Sequence, residues 1–349
     1  MKIAQVAPLH ESVPPRLYGG TERIVSYLTD ELVAKGHNVT LYASGDSETR
    51  ARLVAMTDKA IRLNPESRDT LAPHVLLLEK VFQDLETYDI VHFHTDYMHF
   101  PLSRRLRAAQ VTTLHGRLDL PELCCIFDEF REMPVVSISD DQRMPLPMAN
   151  WQETVYNGID PAPYQFQGVP GRYLAFLGRI CSEKGIEQAI EIALRTGLEL
   201  RVAAKIDPVD EAYYRRKIKP LMDHPMINYV GEIKEADKSE FLGNAAALIF
   251  PIQWPEPFGL VMIEALACGT PVIAFNRGSV SEVLRHGVSG FIVDSVDEAV
   301  TAVGRLSMLS RQRCRHIFDA RFSASIMTDG YLEIYKRLKR GKYKPRRAA

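Results

Sequence analysis

Residues 251–274, P-I-Q-W-P-E-P-F-G-L-V-M-I-E-A-L-A-C-G-T-P-V-I-A, leave the backbone few choices. The apolar run ahead of them ends at Phe250-Pro251 and reads as a buried strand. Pro255 and Pro257 break any helix across Trp254–Glu256, because proline fixes its own φ and pushes the preceding residue out of the helical region. From Phe258 to Cys268 the side chains are apolar almost all round, which predicts a buried helix stopped by Gly269. Pro271–Ala274 is the next strand. A strand, loop, helix and strand in this order specify the α/β class.

Two carboxylates mark this segment, Glu256 and Glu264, with seven residues between them. Glu256 precedes Pro257 and so belongs to the loop. Glu264 is expected about two turns into the helix. The amides of Phe258, Gly259 and Leu260 would open that helix, and a helix N-terminus favours an anion or a hydroxyl. Carboxylates beside such amides accept hydrogen bonds from sugar or ribose hydroxyls. The plainer alternative is one capping acid and one surface salt bridge.

A chain of 349 residues suits two domains rather than one core. Its net charge of −1 gives no field for nucleic acid. There is no apolar run long enough for a membrane span, and M-K-I-A-Q-V-A-P reads as a strand rather than a leader. The five cysteines lack C-x-x-C spacing, which suits a reduced, cytoplasmic protein with buried thiols.

Lys2–Ala7 predicts the opening strand. A proline-rich loop leads to Gly19-Gly20-Thr21-Glu22-Arg23, with Thr21 as N-cap of a helix striped by Ile24, Val25, Leu28, Leu32 and Val33. Asn38–Ala43 is the following strand. No G-x-G-x-x-G occurs, so a standard dinucleotide site is not supported. Gly19-Gly20 is either a plain turn or a place where backbone approaches a phosphate or sugar. Leu71–Leu85 predicts a helix. Ile90–His94 predicts a strand that puts His92 and His94 on one face; with no further ligand nearby in sequence, no metal is expected. His94 and Asp96 fall at the strand's carboxyl end, where doubly wound sheets hold ligands. A helix to about Arg107 precedes strand Val111–Leu114, which ends on His115-Gly116; His115 is either structural or faces a cleft. Helix Pro121–Arg131 and strand Pro134–Ser139 follow, then a short strand and turn at Thr154–Asp160. The run P-A-P-Y-Q-F-Q-G-V-P-G then places a domain boundary near residue 163, dividing 1–162 from 163–327.

In the second half, strand Tyr173–Leu177 runs into G-R-I-C-S-E-K-G and a helix. Arg179 and Lys184 can clamp a diphosphate, the arginine bidentately and the lysine as a point charge. Two solvated bases are the alternative, but a helix start disfavours cations, which suggests an anion between them. Strand Leu200–Ala203, helix Val209–Met222 and strand Ile227–Val230 lead to Gly231-Glu232-Ile233, where a base can lie on Gly231 and Ile233. Asn276–Ser279 is a glycine turn at another strand end. Thr328–Lys339 predicts a last amphipathic helix ahead of a basic tail.

The segment E-P-F-G-L-V-M-I-E-A-L-A-C-G-T-P-V-I-A resembles, nearly residue for residue, the signature of family 4 retaining glycosyltransferases of the GT-B fold. T-L-H-G at His115, G-R-x-x-x-x-K-G from Gly178 and N-G-I-D at the boundary match in order. P-P-R-L-Y-G-G-T-E-R is most similar to the avilamycin-type bacterial branch. The resemblance covers nearly the whole chain. It implies two doubly wound Rossmann-like domains facing across a cleft, with the C-terminal helix, about 328–345, packing back on the first.

The resemblance also implies roles. Arg179 and Lys184 bind the donor diphosphate, Glu264 the ribose and Glu256 the sugar hydroxyls, beside the amides of Phe258–Leu260. His115 positions the sugar near its anomeric carbon. Gly19, Gly20, Gly231 and Ile233 line the donor site, and His94 and Asp96 lie on the acceptor side. The partners are a nucleotide-sugar, with UDP-glucose ahead of GDP-mannose, and a saccharide or other hydroxyl acceptor. Front-face transfer needs no metal or cofactor. The basic tail suits weak contact with anionic lipid, hence a cytoplasmic enzyme at times peripheral to the membrane. The rival readings are a nucleotide-sugar 2-epimerase on the same fold and a non-catalytic carbohydrate-binding protein.

Overall fold

The computed structural model describes residues 1–106 and 108–341. Arg107, where one helix was expected to end, and the basic tail beyond Gly341 lie outside the described residues. The chain divides into two compact units, Met1–Gly158 joined by the helix Ala324–Arg340, and Ile159–Ser323.

The first unit holds strands β1 Lys2–Val6, β2 Asn38–Ala43, β3 Arg52–Ala55, β4 Ile90–Phe93, β5 Gln110–Thr113, β6 Pro134–Ser137 and β7 Asn150–Thr154. They pair in parallel in the order β3-β2-β1-β4-β5-β6-β7. The central strands are short runs buried end to end, as helices on both faces of a parallel sheet require. Ala4, Val6, Tyr42, Val91 and Phe93 join Leu77 and Val81 of the helix Leu71–Gln83 in one core, and Phe100, Leu123, Phe127 and Val135 form another. The helix Ala324–Arg340 packs on the helix Gly20–Ala34 and on β4.

The second unit holds β8 Tyr173–Arg179, β9 Leu200–Lys205, β10 Ile227–Gly231, β11 Ala245–Phe250, β12 Val272–Phe275 and β13 Gly290–Val293, ordered β10-β9-β8-β11-β12-β13 and all parallel. Each sheet starts in its middle and grows first to one side, then to the other. The order therefore reverses between β1 and β4 in one unit and between β8 and β11 in the other. Loops leaving the carboxyl ends of such a pair diverge and open a crevice, the usual ligand site of doubly wound sheets.

Several local expectations change. The first long helix begins at Gly20, so Thr21 lies in its first turn and does not cap it. Gly19 packs so close to Pro15 that an added Cβ would sit 2.7 Å from the Pro15 Cβ, and its carbonyl accepts from the Arg23 amide. The expected helix 209–222 is interrupted by a π-turn, Tyr214–Ile218, ahead of Pro220, which has no N–H to offer the helical ladder. Strand β3, too short and too exposed to stand out in the sequence, pairs at the sheet edge. Among the described residues no helix is long and apolar enough to cross a membrane.

Candidate functional site

The reversal point of the second unit collects the charged residues. Arg179 is the last residue of β8, and the turn after it reaches Lys184 and Gly185. Gly185 takes a left-handed φ of 74°, and a Cβ there would lie 2.0 Å from the Pro251 carbonyl oxygen. Only glycine therefore lets the loop after β8 close on the loop after β11, where the Gln253 amide donates to the Glu183 carbonyl at 2.8 Å. That contact delivers Lys184 to Glu256, with which it forms a short ion pair. The Trp254 indole N–H donates to the same carboxylate at 2.9 Å, and the ammonium lies 5.5 Å from the indole centre. Arg179 is flanked by Asp210 at 3.3 Å and Glu183 at 3.8 Å, which set the direction of its guanidinium.

Glu256 is held from behind by the turn after β12. Gly278 has φ +58°, and a Cβ on it would fall 2.3 Å from the Glu256 carbonyl oxygen and 2.4 Å from its nitrogen. The Ser279 amide donates to the Glu256 carbonyl and its hydroxyl to the Phe258 carbonyl. The expected helix start is corrected here: Gly259 is left-handed, the helix runs Leu260–Ala267, and the opening amides are those of Leu260 and Val261. Phe258 is a buried residue of the loop.

Glu264 follows just over one turn into that helix and is 1% exposed. Lys238 reaches it at 2.7 Å and pairs also with Glu235 at 3.0 Å. The other Glu264 oxygen, Oε2, is buried without a hydrogen-bond partner. A buried acceptor in that condition costs free energy unless a donor comes to it, and so marks a place for a ligand. Gly231, also left-handed, ends β10 with the half-buried Ile233 just beyond.

In the first unit the loops after β1 and β4 flank the reversal point, Gly19 and Gly20 closing the one and His94 and Asp96 opening the other. Asp96 is exposed at φ 50°, a left-handed turn that aspartate tolerates. His94, expected on an acceptor-facing surface, is turned inward. Its Nδ1 meets His115 Nε2 at 2.9 Å and its Nε2 meets Gln5 Oε1 at 2.8 Å. His92 is likewise engaged at both nitrogens, with Tyr335 at 2.6 Å and Thr113 at 2.7 Å. Burial holds His92 and His94 well below the usual imidazole range, and desolvation lowers His115 to about 4, so all three are neutral near pH 7. His115 is half-buried.

Sequence reading finds Arg179, Lys184, Glu256 and Glu264 but misses their partners. Asp210 and Lys238, and Gln5 behind His94, sit in unremarkable stretches, where only the E-x-x-K spacing of Glu235 and Lys238 hints at a helical pair; Gly278 was legible as a turn but not as the brace of Glu256.

The chain matches known proteins over most of its length. Residues 18–145 match the family described as Glycosyltransferase Family 4, and residues 168–320 that described as Glycosyl transferases group 1. A phosphatidyl-myo-inositol mannosyltransferase of Mycobacterium leprae is 25% identical over 369 residues, covering 96% of each chain. Among solved structures, a glycosyltransferase involved in avilamycin A biosynthesis superposes with a TM-score of 0.73 at 23% identity, over 97% of this chain and 98% of its own. Anabaena HepE, solved in complex with UDP and glucose, gives 0.75 at 17% identity, over 97% and 100%. At such identities the superpositions establish the two-domain GT-B fold and no more.

Proposed function

We propose how the transfer is carried out by a chain that belongs to glycosyltransferase family 4 and is therefore a hexosyltransferase. The second unit holds a nucleotide-sugar donor and the first presents a hydroxyl acceptor. The observation that carries this reading is the set at the β8/β11 reversal: Lys184 on Glu256, Arg179 braced by two acids, and the buried, unpartnered Oε2 of Glu264.

An ammonium has three donors, so Lys184 can keep Glu256 and also take a phosphate oxygen. Arg179 and Lys184 then stabilise the charge that grows on the leaving diphosphate. Glu264 accepts from the ribose, and Glu256 from hydroxyls of the sugar, beside the amides of Leu260 and Val261. His115 takes a hydroxyl of the transferred sugar; His94 serves behind it and Asp96 on the acceptor side. Gly231 and Ile233 carry the base, and Gly19-Gly20 gives backbone access to the donor. Transfer proceeds with retention by front-face attack, a donor phosphate oxygen taking the acceptor proton, and needs no metal because Arg179 and Lys184 supply the positive charge.

UDP-glucose is the first donor, supported by the UDP and glucose bound in HepE. GDP-mannose is the second, favoured by the mannosyltransferase of M. leprae. The enzyme works in the cytoplasm, its basic tail meeting anionic membrane lipid.

A thermal-shift panel of nucleotides and nucleotide sugars in EDTA tests the reading, since a ligand bound to the native state raises Tm by mass action. Stabilisation by UDP and one UDP-sugar is expected. Stabilisation by GDP-mannose alone changes the donor and keeps the chemistry; no response to any nucleotide refutes the assignment.

A further inference from the structure

Six hydrogen bonds join His115 to the C-terminal helix without a break. His115 Nε2 meets His94 Nδ1, and His94 Nε2 meets Gln5 Oε1. Gln5 Nε2 donates to the Tyr335 hydroxyl at 3.0 Å, which meets His92 Nδ1 at 2.6 Å. His92 Nε2 meets Thr113 Oγ1, and that hydroxyl donates to the Tyr331 hydroxyl at 2.9 Å. Apart from the half-buried His115, every residue of this chain is buried.

Each link holds one proton, and each neutral imidazole carries one N–H and one lone pair. The links are therefore not independent. With Gln5 Oε1 facing His94, the His94 proton must be on Nε2, which leaves Nδ1 as an acceptor. His115 must then donate from Nε2 and is left with a bare Nδ1. On the other side, the Tyr335 hydroxyl accepts from the Gln5 amide and so donates to His92 Nδ1. His92 then donates from Nε2 to Thr113, and Thr113 to Tyr331. Turning the Gln5 amide over reverses all six protons and makes His115 Nδ1 a donor. One primary amide thus holds the polarity of the chain, because it is the member that offers an acceptor on one end and a donor on the other.

We propose that Gln5 and Tyr335 are positioning residues that fix His115 in the Nε2–H tautomer, so that its Nδ1 presents a lone pair to a donating hydroxyl of the substrate. This rests on the reading of His115 given above for its use in transfer, but not for the tautomer itself. Tyr335 acts by holding the far end of the amide: without its hydroxyl the Gln5 N–H loses its partner, and the amide is free to turn over.

Nitrogen-15 spectra of the histidine rings, in the full chain at pH 7, distinguish a protonated ring nitrogen from a bare one. The expected wild-type result is His115 with Nε2 protonated and Nδ1 bare; a protonated Nδ1 overturns the proposal. In Gln5→Leu, and independently in Tyr335→Phe should the first not fold, His115 is expected to show both tautomers. A single, unchanged tautomer in a folded variant also overturns it. For transfer, kcat is expected to fall about tenfold, the worth of one neutral hydrogen bond, with the donor KM nearly unchanged. Gln5→Asn would not restore it, because the shorter amide cannot span His94 and Tyr335. If the tautomers mix and kcat does not move, the chain controls the ring, but its consequence for transfer and the placing of His115 at the sugar are both refuted.

Discussion

Replacing Glu264 by glutamine separates the ligand role of that carboxylate from its structural one. Lys238 keeps Glu235 at 3.0 Å when the Glu264 charge is removed, and the glutamine oxygen can still accept from it. No buried charge is orphaned, so the cost to stability should be about 1 kcal/mol, rather than the roughly 3–5 kcal/mol of breaking an isolated buried pair. In a unit of this size that is a Tm change of about 2–4 °C. The ligand effect is larger. The oxygen now buried without a partner becomes an NH2 group, which cannot accept a ribose hydroxyl. A hydrogen bond to a charged acceptor is worth about 1.5–3 kcal/mol, so nucleoside diphosphate affinity should fall roughly 10- to 150-fold. Calorimetric titration of both proteins with the ribo and 2′,3′-dideoxy nucleotides closes a cycle that isolates the contact. The wild type should prefer the ribonucleotide, and Glu264→Gln should lose that preference. A variant that keeps the full preference shows that Glu264 does not hold the ribose.

Three other outcomes follow from the same geometry. Lys184→Ala should lower kcat about 10²- to 10³-fold, as the loss of a preorganised charge does, with circular dichroism unchanged; surviving activity would show that the phosphate grip lies elsewhere. Gly278→Ala forces a Cβ into the Glu256 backbone at a positive φ, so it should cost about 1–3 kcal/mol in denaturant unfolding and lower kcat as Glu256 shifts; an unperturbed variant would mean that the turn does not brace Glu256. Burial lowers His99 to about 3 and His115 to about 4, so between those values and 6.5 the unfolded chain binds protons that the folded chain does not. Stability should therefore fall as pH drops below 6.5, by up to about 1.4 kcal/mol per pH unit for each histidine, and His99→Asn should flatten the slope; equal urea midpoints at pH 7.5 and 5.5 would contradict this.

Of the site residues that could be read from the sequence, Arg179, Lys184 and Glu256 sit where local backbone chemistry announces a strand end, and Glu264, inside a helix, was read from its spacing to Glu256. Pro257 confines Glu256 to a loop, and Gly178 and Gly185 bracket Arg179 and Lys184. What could not be read depends on which loops the sheet order brings together. Lys184 and Glu256 are 72 residues apart, and only the adjacency of β8 and β11 makes them an ion pair. His94 shows the same limit in reverse. Its position at a strand end suggests a ligand-facing residue, but the neighbouring strands bring Gln5 and His115 to its two nitrogens. The helix start at Leu260 was misplaced by two residues because a left-handed Gly259 looks, in sequence, like any glycine near a helix.

By itself the sequence determined the α/β class, the arginine–lysine pattern at the end of β8 and the two-carboxylate spacing, since proline, glycine and apolar periodicity act over a few residues. Tertiary structure alone decided which charges neutralise one another, which carboxylate oxygen is left without a donor, and which way the protons run from His115 to the helix Ala324–Arg340. Those depend on strand order and on burial, because a hydrogen bond or an ion pair is a property of two groups brought together, and short-range pattern carries no record of the second.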